Sequence, residues 1–268
     1  MKTVEILAAG NELLQGIVQE SNSHWLAKRI AARGASLVRV TVLPDEPPVV
    51  AQELRAAIAR APSLIVTHGG LGPTDDDRTR EAIAMALDAP QALHSEAEAI
   101  VRRRYAELAA QGAVGDAHLT PARLRMAMLP QGARALDNAV GAAPGIVVKA
   151  GPVTIVALPG VPPELFWIWE HSLAPVLDEL LGPGGFAEIT LELDLLDESR
   201  IAELLASVQH AHPRVYVKSR ARGFEAGDEI RVTLAASGAD DARAHRRVEV
   251  ALAELRTGLA AVGIAIRA

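Results

Sequence analysis

Along the first two thirds of the chain, short β-branched apolar runs alternate with segments whose apolar residues recur at helical spacing, which predicts strands and helices in turn. Residues 3–8 predict a first strand, 22–33 a helix stopped by Gly34, and 36–43 a second strand. A helix over about 48–60 leads to Ser63-Leu64-Ile65-Val66-Thr67, an unbroken apolar run typical of a central parallel strand. Helical patterns follow at 78–87 and 95–110, then a loop with Gly112 and Gly115, then a helix near 121–127. Strands at 145–149 and 153–157 flank a Gly151-Pro152 turn, and Leu158-Pro159-Gly160 leads into a helix over about 162–180. This order predicts an α/β fold: a mostly parallel sheet sandwiched by helices.

Gly182-Pro183-Gly184-Gly185 interrupts the pattern and places a boundary between a domain of residues 1–182 and a smaller one of 186–268. The second reads β (187–195), α (198–209), β (213–219), β (229–236), α (240–261), β (262–267), the split βαβ order of a ferredoxin-like α+β domain. Asp228 precedes its third strand and Asp240 opens its last helix, as turn and capping chemistry require.

Half of the 268 residues are hydrophobic but only 3% are aromatic, so the core must be built from Ala, Val, Leu and Ile. The absence of cysteine excludes disulfides, thiolate metal sites and cysteine nucleophiles, and fits a reducing, cytoplasmic setting. No apolar signal segment or membrane span stands out. A formal charge of −6 argues against sequence-independent nucleic-acid binding. Arg102, Arg103 and Arg104 read as a solvated helix face, and Lys218, Arg220 and Arg222 as a solvated loop after a strand. Trp25, Trp167 and Trp169 read as packing residues.

The candidate chemistry sits in His68-Gly69-Gly70-Leu71-Gly72-Pro73-Thr74-Asp75-Asp76-Asp77, at the carboxyl end of the third strand. Gly69, Gly70 and Gly72 permit backbone shapes closed to other residues and let main-chain amides, through to Thr74, approach a phosphate. A helix beginning near Arg78 turns its positive end the same way. Three acids beside an anion repel it unless a cation intervenes, so Asp75, Asp76 and Asp77 suggest a divalent metal, Mg²⁺ or else Mn²⁺ or Co²⁺, bridging carboxylate and phosphate. Acidic capping of a Gly-Pro turn explains the same residues equally well. No Gly-Lys-Ser/Thr follows, so this is not a Walker loop.

Gly10-Asn11-Glu12-Leu13-Leu14-x-Gly16, with Asn22 beyond it, resembles the opening of the CinA amino-terminal domain family. Gly69-Gly70-Leu71-Gly72-Pro73-Thr74-x-Asp76-Asp77-x-Thr79 resembles its central motif. Asn138-x-x-Gly141-x-x-Pro144-Gly145 and Leu158-Pro159-Gly160-Val161-Pro162-x-Glu164 are similar to its later motifs, and the segments together cover roughly residues 4–170. The resemblance implies the molybdopterin-binding fold of the MoaB/MogA type and metal-dependent cleavage of ADP-ribose to AMP and ribose 5-phosphate. It also implies a homo-oligomer acting on a small nucleotide or pterin. Asn11 stands where the family usually has Asp or Thr, and Glu20 where Asn is common. No segment matches the nicotinamide-nucleotide deamidase domain of longer relatives.

On this reading Asp76, Asp77 and Glu12 are the catalytic candidates, and with Asp75 they hold the metal. Glu12 reads as a metal ligand, because its strand end should adjoin the Gly-rich loop, with an exposed loop acid as the alternative. Gly69, Gly70, Gly72, Thr74, Asn22, Asn138, Gly141, Gly145, Pro159, Gly160 and Glu164 line the phosphate or nucleotide. Asn22 reads as a contact or a helix cap, Asn138 as a donor or a turn residue, and Glu164 as a group orienting a ligand hydroxyl or plain helix initiation. Two other functions suit the same loops. One is a molybdopterin-binding or molybdopterin adenylyltransferase protein of molybdenum cofactor biosynthesis. The other is a nucleotide-binding regulatory module without catalysis.

Overall fold

The computed structural model describes residues 2–221 and 230–267, so Arg222 and Asp228 lie outside the described residues. The chain divides into two compact units, Met1–Lys28 with Ser36–Leu181, and Arg29–Ala35 with Gly182–Ala268.

In chain order the first unit's elements begin with β1 (Thr3–Ala9), α1 (Asn11–Leu14), α2 (Asn22–Ala32) and β2 (Ser36–Leu43). They continue through α3 (Pro47–Ala59), β3 (Leu64–His68), α4 (Thr79–Ala86), β4 (Gln91–Leu93), α5 (Ser95–Ala110) and α6 (Pro121–Arg125). The unit ends with β5 (Met128–Pro130), β6 (Arg134–Leu136), β7 (Gly145–Ala150), β8 (Val153–Leu158), α7 (Pro162–Glu170) and α8 (Ala174–Leu181).

The main sheet has the order β2-β1-β3-β8-β7-β6. Five of its strands run in one direction, and β7 alone is antiparallel to its neighbours β8 and β6. β3 is buried along its whole length, as its unbroken apolar run requires. Glu5 interrupts the apolar run of β1, yet it too is buried; Arg60, at the end of α3, donates to both its oxygens at 2.6–3.0 Å. This pairing offsets the cost of taking the carboxylate out of water.

The helix expected over 162–180 is two helices. His171, Ser172 and Leu173 separate α7 from α8, and Pro175 in the first turn of α8 has no N–H with which to continue the α7 ladder. The sequence pattern also missed the small β4–β5 pair. The three tryptophans split in two. Trp25 stacks on Phe166 with centroids 4.2 Å apart and meets Trp169 edge-on, while Trp167 stacks on His171.

The second unit runs β9 (Gly185–Leu193), a 3₁₀ turn at Glu198–Ile201, α9 (Ala202–Ala211), β10 (Tyr216–Ala221), β11 (Ile230–Gly238) and α10 (Asp241–Ala261). The antiparallel order is β10-β11-β9. The last expected strand is reduced to one bridge between Ile266 and Leu193, on the far side of β9. With that bridge the order is the split βαβ arrangement. Alternate residues of β11 (Ile230, Val232, Leu234 and Ala236) enter a core with Val208, Val248, Leu252 and Leu255. Asp240 caps α10, its carboxylate accepting from the Arg243 amide at 2.7 Å. Among the described residues no helix is long and apolar enough to cross a membrane.

Candidate functional site

From β1 the chain crosses to β2 on one side, and β3 then lies on the other. Loops after β1 and β3 therefore leave a crevice at the carboxyl edge, where open α/β sheets take their ligands. The strand ends approach closely. Gly69 donates its amide to the Leu158 carbonyl at 3.1 Å. With φ at +93°, a Cβ on Gly69 would lie 2.1 Å from the Ala9 oxygen. Gly70, at φ +64°, would collide with the Thr79 hydroxyl. Gly69 is required by backbone contact across the strand ends and Gly70 by its positive φ and the Thr79 side chain, rather than by the approach of a phosphate alone. The amides of Gly69 and Thr74 are engaged within the protein, the latter with Asp77 at 2.9 Å.

Arg80 holds the loop from beneath. It is 4% exposed and donates to the carbonyls of Leu71 at 2.5 Å, Gly72 at 2.9 Å and Asp77 at 3.2 Å, and burial lowers its pKa to about 10. The sequence reading passed over Arg80, because on a helix pattern it looks like any surface charge. Thr79 adds a hydroxyl bond to the Gly69 carbonyl at 2.8 Å.

The three aspartates take different roles. Asp75 turns into solvent and pairs with Arg125 at 2.7 Å. Asp76 and Asp77 both accept from the Thr74 hydroxyl, the first at 2.5 Å, and that bond holds the Asp76 carboxyl below its ordinary range. Gly72 carries no side chain because a Cβ there would meet the Asp77 carboxylate. An acid that the sequence reading did not single out joins them. Asp45, after β2, accepts from the Asn11 amide at 2.8 Å. Its carboxyl is raised above its usual range, first by burial, against the Asn11 bond, and further by the charges of Glu12, Asp76 and Asp77. Carboxylates from the ends of β1, β2 and β3 therefore feel one another. The signal that could have found Asp45 is its position just past the carboxyl end of a strand adjoining β1.

Among the described residues no three His, Asp or Glu side chains form a ready-made metal centre. An all-carboxylate set suits a hard cation such as Mg²⁺, which commonly takes one or two protein carboxylates and fills its shell with phosphate oxygens and water. The residues fit a cation brought in with a phosphorylated ligand.

Beside the acids lies a cavity of about 80 Å³ lined by Glu12, Glu20, Asn22, His68 and Gly160 among others. Asn22 is buried, and its Nδ2 donates to the Gly160 carbonyl at 2.8 Å while its Oδ1 has no partner within the protein. The Glu20 carboxylate caps α2, accepting from the Ser23 amide at 2.9 Å. His68 is 2% exposed, with Nε2 at 3.4 Å from both Ser23 Oγ and Glu20 Oε1. Burial lowers its pKa to about 4 against the pull of Glu20, so the ring is neutral at physiological pH.

The loop at 138–145 reaches the same edge, beside β8, but its polar groups turn inward. Asn138 is fully buried. Its Nδ2 donates to the Ala143 carbonyl at 2.8 Å and to Glu164 at 2.7 Å, and its Oδ1 accepts from the amides of Val140 and Gly141. Both donors and both acceptor positions of this side chain are occupied. Burial raises the Glu164 pKa, opposed by the Asn138 bond and the charge of Arg104. Arg104 is buried too and donates to the carbonyls of Gly141 and Val140. That corrects the solvated-face reading, which holds for Arg102 and Arg103 only. A Cβ on Gly141 would overlap the Glu164 carboxyl, and one on Gly145 would crowd Ile168 and Leu136. Expected as ligand contacts, Asn138, Gly141, Gly145 and Glu164 form a closed structural clamp. Pro159 is buried at the end of β8, and Gly160 beyond it is exposed.

Residues 5–179 match the family described as "Probable molybdopterin binding domain". The chain belongs to that family. A protein of Aeropyrum pernix is 39% identical over 96% of this chain and 94% of its own length. Protein PH0439 of Pyrococcus horikoshii is 34% identical over 82% of this chain and 84% of its own. A solved structure described as the protein CinA of unknown function, from Thermoplasma acidophilum, aligns at a TM-score of 0.58 with 29% identity, over 67% of this chain and 99% of that one.

As a member of the molybdopterin-binding domain family, the chain keeps the CinA-like fold that its motifs resemble. Hydrolysis of ADP-ribose finds no support in these matches, and the pterin alternative agrees with the family's description better. The two departures noted in the sequence acquire positions. Asn11 and Asp45 bond reciprocally, the Asp45 amide donating to Asn11 Oδ1 at 3.4 Å, and Glu20 stands in the wall of the small cavity.

Proposed function

We propose that the first unit binds molybdopterin at the carboxyl edge of its sheet, with the pterin's phosphate over the acidic strand ends, and adenylylates it there. The observation that carries this is the placing of Asp45, which is held by the Asn11 amide at 2.8 Å within the field of Glu12, Asp76 and Asp77, its carboxyl raised above the ordinary range first by burial and then by those charges. Charges so placed are unfavourable unless a cation relieves them. A divalent ion brought in with the phosphates and held by one or two of these carboxylates, Asp45 with Glu12 or Asp77, would neutralise the phosphates and polarise their oxygens.

The rest falls to the chain's own groups. Thr74 fixes Asp76 and Asp77 through its hydroxyl. Arg80, gripping three carbonyls, keeps the loop that carries them in place. Neutral His68 adds no positive charge of its own beside the acids. In the transfer, an oxygen of the pterin phosphate attacks the α-phosphorus of ATP and pyrophosphate leaves.

Purified chain mixed with molybdopterin, ATP and Mg²⁺, Mn²⁺ or Co²⁺ is expected to yield adenylylated pterin and pyrophosphate. ADP-ribose offered under the same conditions is expected to remain intact. Tight pterin binding without pyrophosphate would remove the transferase step and leave a binding protein. AMP release from ADP-ribose, with no pterin bound, would overturn the proposal.

A further inference from the structure

The sheet of the second unit is covered on one side only. α9 and α10 pack on the face that carries Leu191, Val232 and Leu234, and the opposite face meets solvent. Strand register orders that outer face in three rows: Tyr216, Ala235 and Glu188; Lys218, Thr233 and Thr190; Arg220, Arg231 and Glu192. Lys218 and Arg220, expected in a loop after a strand, lie within β10 itself. Tyr216 is 52% exposed, and Lys218, Arg220, Glu188 and Thr190 are exposed with it.

The columns of this face are sorted by charge. Two cations and a phenol stand on β10, two acids on β9, and Arg231 on β11 is balanced within the chain by Glu192 at 2.6 Å. Among the described residues, Lys218 and Arg220 meet no carboxylate and Glu188 no cation. The two outer strands stand two strand spacings apart, roughly 10 Å, with β11 between them. A face that is merely solvated gains by setting opposite charges side by side. Sorted columns are instead complementary to a reversed image of themselves.

We infer that this face seats a second copy of the chain, on a two-fold axis running along β11. Such an axis lays β10 of one copy over β9 of the other and keeps the rows in step. Arg220 then meets Glu192 of the second copy, the Tyr216 hydroxyl donates to Glu188 of that copy, and Lys218 has those two acids on either side. An axis across the strands would set β10 on β10, cation against cation, so the charge pattern chooses between the two arrangements. Thr233 and Ala235, short side chains on the axis, let the faces approach. The contact lies outside residues 5–179, which carry the family match, and does not depend on the pterin reading.

The test is a charge swap on the full chain. One variant carries Lys218→Glu and Arg220→Glu, the other Glu188→Lys and Glu192→Lys. Each alone sets like charges across the axis, so its assembly mass in sedimentation and native mass spectrometry is expected to fall to half that of the wild type. Equimolar mixing is expected to restore the wild-type mass with one chain of each kind in every pair, a result that loss of folding in either variant cannot give. Added salt should weaken the wild-type pair, since its ion pairs stand at a surface. Wild-type protein that is monomeric at millimolar concentration would overturn the inference, as would two swapped variants that keep the wild-type mass when alone. Halving without recovery on mixing would also sink it. So would a Lys218→Glu, Arg220→Glu variant that loses retention on an acidic matrix at unchanged mass, which gives the face to an acidic partner instead.

Discussion

Two loop regions at one edge of the first sheet look alike in sequence and behave differently. Each brings an asparagine, glycines and a glutamate to the carboxyl end of a strand. At 138–145, Asn138 closes four hydrogen bonds, Glu164 is one of its partners, and Arg104 seals the outside of the turn. At 10–22, Asn22 closes one bond and keeps a buried oxygen without a partner, while Asp45, bonded to the Asn11 amide, is raised by burial and then by the charges of Glu12, Asp76 and Asp77. Glycine and asparagine content does not mark a ligand site. A site is marked by groups whose hydrogen-bonding capacity the fold leaves open, which only a full accounting of partners reveals.

The contrast can be broken most severely at the crevice itself. Gly69→Ala sets a methyl against the Ala9 carbonyl at a positive φ and should cost more than about 4 kcal/mol in urea unfolding, or abolish folding. Gly16→Ala, at φ +71° in open space, should cost only about 1 kcal/mol. Next in size is Asn138→Ala, which leaves buried partners unpaired and should lose about 3 kcal/mol with pterin affinity unchanged. A loss of affinity without loss of stability there would make the clamp the binding loop.

His68 gives a comparable effect in a pH titration. The unfolded chain takes up a proton near pH 6.5 that the folded chain refuses until about 4, so stability falls as pH drops through that window. The total, on the order of 3 kcal/mol, should vanish from the profile of His68→Gln. Asn22→Ala, which removes the Nδ2 bond to the Gly160 carbonyl, should cost about 1 kcal/mol in urea unfolding. The smallest effect belongs to Asp45→Asn. Relief of repulsion among solvent-screened acids should change stability by less than about 1 kcal/mol, while the rise in melting temperature on adding Mg²⁺ should disappear.

The strands were legible because burial on both faces forces continuous apolar runs such as 64–66, and the Asp240 cap because a helix start needs a side-chain acceptor. The break at 171–173 was not, since an apolar helical stripe continues through it, and the final strand contracted to a single bridge. In the site, the motif at 69–77 located the crevice. It did not show that Asp75 leaves for Arg125 or that Arg80 turns inward.

By itself the sequence determined the order of elements, the parallel sheet and the edge at which its loops gather, because periodicity and turn chemistry are local properties of the chain. Tertiary structure alone decided which of two similar asparagines is satisfied, and that Asp45 stands among the acids. Partner and charge are relations between residues far apart in the chain, and only packing creates them.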